Sequence, residues 1–204
     1  MSKMSLINLI EILAILVGAF SGFIEARSKK MDVVGVFTVA FITAFGGGTL
    51  RDILLDKRPL FWVEHQEYAI LIFVLSLIAA PLIRTLKKIV SENLIVIADA
   101  LGLGLFSIAG VSEAQAAGMP IFIASMMGVV TGIFGGVLRD IVCNEIPMVL
   151  RDGRPYAICS FIGCWVYLLL QKTGAPPDVA LWSSALLIFL LRIVSWRRDI
   201  YLGE

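Results

Sequence analysis

The chain has 204 residues, of which 59% are hydrophobic and only 16% are charged, and its formal net charge is +1. Soluble domains have about 45–50% apolar and about 25% charged residues, so the apolar surplus exceeds what a buried core requires. We therefore interpret the chain as an all-α integral membrane protein. A net charge near zero, without a basic stripe, argues against nucleic acid as a partner.

The segments that could cross a membrane follow one another with short connections. A helix needs about 20 mostly apolar residues to span about 30 Å of hydrocarbon. The first such segment contains Glu11 and lacks a signal-peptidase site, so we expect it to be a retained helix rather than a signal peptide. In chain order, the predicted transmembrane helices are residues 5–26, 32–55, 68–83, 93–111, 120–141, 156–171 and 178–196.

The connections between these helices differ in positive charge. Twelve of the 17 Lys and Arg residues fall on one side of the membrane if seven helices are threaded, and five fall on the other. Connections rich in Lys and Arg face the cytoplasm. This asymmetry predicts that the N-terminus lies outside and the C-terminus in the cytoplasm, which requires an odd number of spans.

An internal repeat appears when the chain is shifted by 88 residues. The segment 45–53, FGGGTLRDI, then falls on IFGGVLRDI at 133–141, and flanking proline and tyrosine residues also coincide. Because the offset contains three predicted helices, the second copy is inverted in the membrane. We expect one three-helix repeat at residues 1–92, an inverted second repeat at 93–175, and an additional helix with the C-terminus at 176–204.

Glycines interrupt the second and fifth predicted helices. Each glycine inside a helix costs about 1 kcal/mol relative to alanine, so a kink is expected there. A kink would free carbonyl oxygens, which can replace water around a cation. Close helix packing is the alternative, because small residues recur every fourth position in both helices. The predicted kink residues are Gly46, Gly47, Gly48, Gly135 and Gly136.

An Arg-Asp pair follows the glycines in each repeat. Arg51-Asp52 and Arg139-Asp140 lie about one turn beyond them, and two readings are open. The pairs could form charged mouths of a pore at the two membrane faces. Alternatively, the arginine side chains could reach the lipid headgroups as ordinary helix-end anchors.

Two acidic residues occur within predicted helices at equivalent repeat positions, Glu11 and Asp99. A carboxylate at the bilayer centre costs about 2.5–3.5 kcal/mol on insertion scales. They could lie within reach of the headgroups, or they could attract cations. A third interpretation pairs them with Arg51 or Arg139 across the interface between the repeats.

Enzymatic motifs are missing from the sequence. There is no G-x-S-x-G, H-E-x-x-H or Walker loop, and Gly102-Leu103-Gly104 lacks the third glycine of a dinucleotide site. One histidine and three cysteines without a C-x-x-C spacing give no metal-binding set. We therefore expect no catalytic activity, no metal and no cofactor.

The doubled glycine-Arg-Asp motif resembles the TRIC family, the trimeric intracellular cation channels, in its small prokaryotic form. The resemblance rests on FGGGTLRDILL at 45–55, GGVLRDI at 135–141 and a proline seven residues after each aspartate. The same sequences have also been grouped as a duplicated domain with a suggested role in glycine transport. The resemblance implies seven helices in a 3+3+1 arrangement.

The resemblance further implies a homotrimer with a pore in each subunit, permeable to monovalent cations and chiefly potassium. Such a pore runs between the repeats beside the kinked second and fifth helices. The chain ends at Glu204 without a long basic tail, which favours the plasma membrane of a prokaryote over an intracellular membrane. The alternative function is a secondary transporter of a small solute such as glycine. The pore-lining candidates are Thr43, Thr49, Arg51, Asp52, Thr131, Arg139 and Asp140.

Overall fold

The computed structural model describes residues 6–85, 92–151, 153, 155–198 and 200, and its regular secondary structure there is entirely helical. Seven long helices correspond to the seven predicted segments. Two single-turn helices, α3 and α7, were not predicted; each follows the proline after an Arg-Asp motif. The elements are α1 (Leu6–Ser28), α2 (Val33–Leu54), α3 (Phe61–Glu64), α4 (Gln66–Thr85), α5 (Glu92–Ala116), α6 (Ile121–Val142), α7 (Met148–Arg151), α8 (Ala157–Lys172) and α9 (Pro177–Arg197).

Within the described residues, five helices are long and apolar enough to cross a membrane: α1, α2, α5, α6 and α9. The apolar stretches Gln66–Ala79 in α4 and Ala157–Lys172 in α8 are shorter. Large apolar side chains are exposed along the surface, and in α4 Ile70, Phe73 and Leu77 are each about half exposed. Such a surface would be unfavourable in water and suits a lipid environment.

The turns that end equivalent helices share their backbone geometry. Asp56 after α2 and Asn144 after α6 both adopt left-handed conformations, with φ of 52° and 57°. Asp and Asn tolerate this region better than other residues with a side chain. The next amide in each turn, of Lys57 or Glu145, donates to the carbonyl five residues earlier at 2.8 Å. The local structure therefore repeats with the same 88-residue offset as the sequence.

The core lies where α1, α2, α5 and α6 meet. The most extensive contacts join α1 to α2 and α5 to α6, and further contacts join α2 to α6 and α1 to α5. Helix α9 packs mainly on α5 and α8, two long helices of the second repeat. Below, the first set of helices means α1, α2 and α4, and the second set means α5, α6 and α8. This arrangement places the two Arg-Asp motifs, at the ends of α2 and α6, within the interior of the bundle.

Candidate functional site: two buried charge clusters

Arg51 forms the first charge cluster in the interior of the bundle. Its Nη1 donates to Glu11 Oε1 of α1 at 2.6 Å, and its Nε donates to Asp52 Oδ1 at 2.9 Å. The side chains of Arg51 and Asp52 are 2% and 0% exposed. Burial of this kind is tolerated only when charges are paired and hydrogen-bonded. The cluster contains two carboxylates and one guanidinium, for a formal charge of −1.

The carboxylate of Asp52 also fixes the chain that follows α2. Its Oδ2 accepts a hydrogen bond of 3.0 Å from the backbone amide of Phe61, the first residue of α3. Amides at a helix N-terminus have no intrahelical partner, so the carboxylate satisfies one of them. One aspartate thus connects the buried arginine to the connection outside the long helix.

Arg139 forms the second cluster, which has the same pattern of hydrogen bonds as the first. Its Nε donates to Asp140 Oδ1 at 2.9 Å and its Nη1 donates to Asp99 Oδ1 of α5 at 3.1 Å. Asp140 Oδ2 accepts from the amide of Met148, the first residue of α7, at 2.9 Å. Arg51, Asp52 and Glu11 of the first cluster therefore correspond to Arg139, Asp140 and Asp99 of the second.

The burial of both arginines contradicts the interpretation of Arg51 and Arg139 as headgroup anchors, since each is at most 2% exposed. Glu11 and Asp99 do pair with Arg51 and Arg139, as one interpretation predicted, but the pairs do not cross the interface between the repeats. Each acid pairs with the arginine 40 residues further along its own repeat. The first and second helices of a repeat are antiparallel neighbours, so these positions come together locally.

Two side chains make the second cluster richer in hydrogen bonds. Ser21 of α1 receives a 2.6 Å hydrogen bond from Arg139 Nη1, and Tyr156 donates its hydroxyl proton to Asp99 Oδ2 at 2.6 Å. Arg192 of α9 lies with its guanidinium carbon 4.6 Å from the centroid of the Tyr156 ring. Ser21 is thus the contact between this cluster and the first set of helices. Sequence reasoning missed all three residues, although Tyr156 had aligned with Tyr68.

Two small cavities adjoin the clusters, each of about 20 Å³, enough for about one water molecule. Arg51 and Glu11 line the first cavity together with Gly48 and Thr49. Arg139 and Asp99 line the second. Its wall also contains Ser21, Thr43, Gly135 and Gly136.

The glycines of α2 and α6 pack closely where the two helices cross. Both helices continue without a break through these residues. Bending at the five predicted kink glycines stays a prediction. A methyl group on Gly47 would overlap the carbonyl oxygen of Thr131, and one on Gly135 would overlap that of Thr43. Each glycine therefore meets the equivalent threonine of the other set of helices. The packing alternative applies directly to Gly47 and Gly135.

The remaining pore-lining candidates occupy different environments. The hydroxyl of Thr43 donates to the Val39 carbonyl at 2.6 Å, and that of Thr131 donates to the Met127 carbonyl at 2.7 Å. Thr131 is 1% exposed and also meets Gly110, where a methyl group would lie 2.5 Å from its hydroxyl oxygen. The structure therefore brings Thr43 and Thr49 to the cavities and places Thr131 in a helix contact.

Ion pairs at the ends of the long helices join the two halves of the bundle. Lys57, after α2, donates to Glu113 of α5 at 2.7 Å, and Lys29, after α1, pairs with Glu145 after α6. The hydrogen bond to Glu145 raises the pKa of Lys29 above its ordinary value. Lys57 and Glu145 are equivalent repeat positions with opposite charges. The first half supplies both cations of these ion pairs, and the second half supplies both anions.

The fold and the paired clusters define a helical membrane protein built from two copies of one unit. A family model described as "Glycine transporter" matches residues 8–84 and again 96–172, two segments offset by 88 residues. The chain belongs to this family, and its similarity to solved structures identifies it as a member of the TRIC family. The doubled match agrees with the repeat found in the sequence.

Related proteins and structures cover nearly the whole chain. A UPF0126 membrane protein of Vibrio cholerae is 36% identical over 93% of this chain and 78% of its own length. The UPF0126 inner membrane protein YadS of Escherichia coli K12 is 35% identical over 94% of this chain and 92% of its own.

Solved TRIC structures share the fold. The TRIC orthologue from Rhodobacter sphaeroides superposes with a TM-score of 0.87 and 28% identity, covering 97% of this chain and 100% of its own. Another TRIC cation channel superposes with a TM-score of 0.84 and 34% identity, covering 98% of this chain and 97% of its own.

Proposed function

We propose that this protein is a channel for monovalent cations, including potassium, with a permeation route inside each subunit between its two halves. The single observation that carries the proposal is the pair of buried arginine-carboxylate clusters, each beside a cavity and each at the end of a glycine-containing helix. The solved relatives of similar fold are TRIC cation channels. The physical and comparative observations thus favour the same function.

The charge of the clusters supports a preference for cations. Each cluster formed around Arg51 or Arg139 has two carboxylates for one guanidinium, so each has a formal charge of −1. Rings and clusters of acidic side chains raise the local concentration of cations in a narrow route. Arg192 lies over the ring of Tyr156, whose hydroxyl donates to Asp99, so the second cluster has an additional positive charge nearby.

The proposed route is closed in this structure. Its two cavities are each only large enough for about one water molecule, and Gly47 and Gly135 pack against the backbone carbonyls of Thr131 and Thr43. Conduction would require α2 and α6 to separate or bend. Kinks at Gly46, Gly48 and Gly136, where less of the helix surface is held by backbone contacts, would allow such a movement.

The proposed membrane arrangement has seven spans. Residues 1–92 and 93–175 form inverted three-helix repeats, and 176–204 add a seventh helix with a cytoplasmic C-terminus. The reciprocal contacts of Gly47 with Thr131 and of Gly135 with Thr43 support a two-fold relation between the halves. The inner-membrane description of the E. coli relative supports the plasma membrane of a prokaryote. The R. sphaeroides relative is an orthologue of the trimeric intracellular cation channels, which supports a homotrimer.

The test is potassium flux into liposomes that contain the purified protein. We expect passive flux that increases linearly with the potassium gradient, and resolved single-channel currents in planar bilayers. Glu11→Gln should reduce cation flux, whereas Glu67→Gln, at an exposed site at the start of α4, should leave it unchanged. Absence of flux and currents would overturn the proposal. Saturable, gradient-coupled glycine uptake without currents would instead establish a carrier.

A further inference from the structure

Phe106 of α5 borders both charged cavities. Its ring lines the first cavity together with Glu11 and Arg51, and it also lines the second together with Asp99 and Arg139. The residue is 9% exposed, although the walls of both cavities include charged groups. Phe106 is therefore a residue that the walls of the two cavities share.

The two cavities follow one another along α1. Glu11 and Ile15 line the first, whereas Gly18 and Ser21 line the second. The ten residues from Glu11 to Ser21 correspond to about 15 Å along a helix axis, about half of the hydrocarbon thickness. Phe106 approaches α1 at Gly18, where an added methyl group would lie 3.3 Å from the Cε2 atom of the ring.

The internal repeat gives this ring no counterpart. The residue equivalent to Phe106 in the first repeat is Gly18, the very residue that the ring approaches. The surrounding contacts of Gly47 with Thr131 and of Gly135 with Thr43 are reciprocal, whereas the contact of Phe106 with Gly18 is one-sided. A phenylalanine at both positions could not fit, because even a methyl group at Gly18 would crowd the ring.

We propose that Phe106 is a hydrophobic gate that separates the two cavities and blocks the ion route between the clusters. This inference rests on the proposed channel function. Apolar constrictions stop ions because water does not fill them, so no charged group is needed at the block. Opening then requires the ring to move away from Gly18, which would join the cavity of Glu11 to that of Asp99.

The gate is tested by a size series at position 106 measured in potassium-loaded liposomes. Phe106→Ala should increase passive flux several-fold, and Phe106→Met, which retains apolar volume, should leave flux near the wild-type value. Phe122→Ala is the matched control, because that phenylalanine of α6 is 57% exposed and borders neither cavity. A thermal unfolding midpoint for each variant accompanies the flux.

The results of these flux measurements distinguish a failure of the Phe106 gate from a failure of the proposed channel function. Flux in the wild type with no increase in a folded Phe106→Ala variant would overturn the gate and leave the channel standing. A lower unfolding midpoint without increased flux would show that Phe106 only packs. Absence of flux in every protein would overturn the channel and the gate together. If Phe106→Ala does not fold, Phe106→Val tests the gate instead. Valine is smaller than phenylalanine, so this variant should also increase flux, and unchanged flux would overturn the gate.

Discussion

Gly47 of α2 lies against the carbonyl oxygen of Thr131 in α6 so closely that a methyl group on this glycine would overlap the oxygen. Its neighbour Gly48 has a different environment, because the nearest atom to an added methyl group would be Arg51 Nη2 at 3.9 Å. The first glycine therefore sets the distance between the helices. The second leaves space beside the first charge cluster.

Alanine substitutions at these two adjacent glycines should have different effects on stability. Gly47→Ala forces α2 and α6 apart and should lower the free energy of unfolding by about 1–3 kcal/mol, as overpacking does. Gly48→Ala should be neutral or stabilise by up to about 1 kcal/mol, because alanine favours the helix. Thermal unfolding in detergent measures both. Equal destabilisation by the two variants would contradict the packing role of Gly47.

The pairing of Glu11 with Arg51 should appear as an energetic coupling. In a double-mutant cycle of Glu11→Gln and Arg51→Gln, we expect a coupling of about 0.5–3 kcal/mol, as found for residues in one ion-pair network. Arg51→Gln alone leaves two buried carboxylates unpaired and should cost about 3–5 kcal/mol.

The control cycle combines Glu11→Gln with Arg139→Gln. Those residues belong to different clusters, so their effects should add within about 0.3–0.5 kcal/mol. The free energies come from reversible denaturation in mixed micelles. Strong coupling in the control cycle and none between Glu11 and Arg51 would show that the acids pair across the repeats.

Removal of the Tyr156 hydroxyl should destabilise the protein, whereas removal of the equivalent hydroxyl of Tyr68 should not. Tyr156 donates to Asp99 at 2.6 Å in the interior, and Tyr156→Phe leaves that carboxylate oxygen without its donor at a cost of about 1–3 kcal/mol. Tyr68 stacks on Phe61 with its ring centroid 6.1 Å away, so Tyr68→Phe should change stability by less than about 0.5 kcal/mol. Unfolding midpoints of both variants test the difference.

The ion pair between Lys29 and Glu145 should weaken at high pH. Since the pKa of Lys29 is raised in the folded protein, the pair contributes fully below the unfolded value of about 10.4 and is lost as the pH rises through the folded value. Lys29→Arg keeps its charge at these pH values. The difference in unfolding midpoint between the two proteins should therefore stay constant below about pH 10.4 and change as the pH rises above that value. A constant difference would show that the pair does not contribute.

The long helices could be predicted because apolar length and positive charge in the connections are local signals. The structure matches all seven predicted segments with helices, and the repeat appears in the turns as well as in the sequence. The one-turn helices α3 and α7 were missed because four residues, such as Phe61–Glu64, are too short for a periodic pattern.

The composition of the charge clusters was harder to predict. Repeat alignment identified Glu11, Arg51 and their equivalents, but it could not show that the arginines are buried, since charge at a helix end also suits the lipid interface. Ser21 is 118 residues from Arg139, and its equivalent in the second repeat is Ala109. A residue that departs from the repeat gives no signal in a comparison of the two copies.

Helix α9 packs mainly on α5 and α8, and its Arg192 lies over the ring of Tyr156, whose hydroxyl binds Asp99. The first half of the molecule has no comparable attachment to α9 among the described contacts. A lipid, a neighbouring subunit or a mutation that shifts the last helix would therefore disturb one end of the bundle more than the other. The two halves resemble each other because of the duplication. The unpaired helix α9 makes them different, because it packs mainly on one of them.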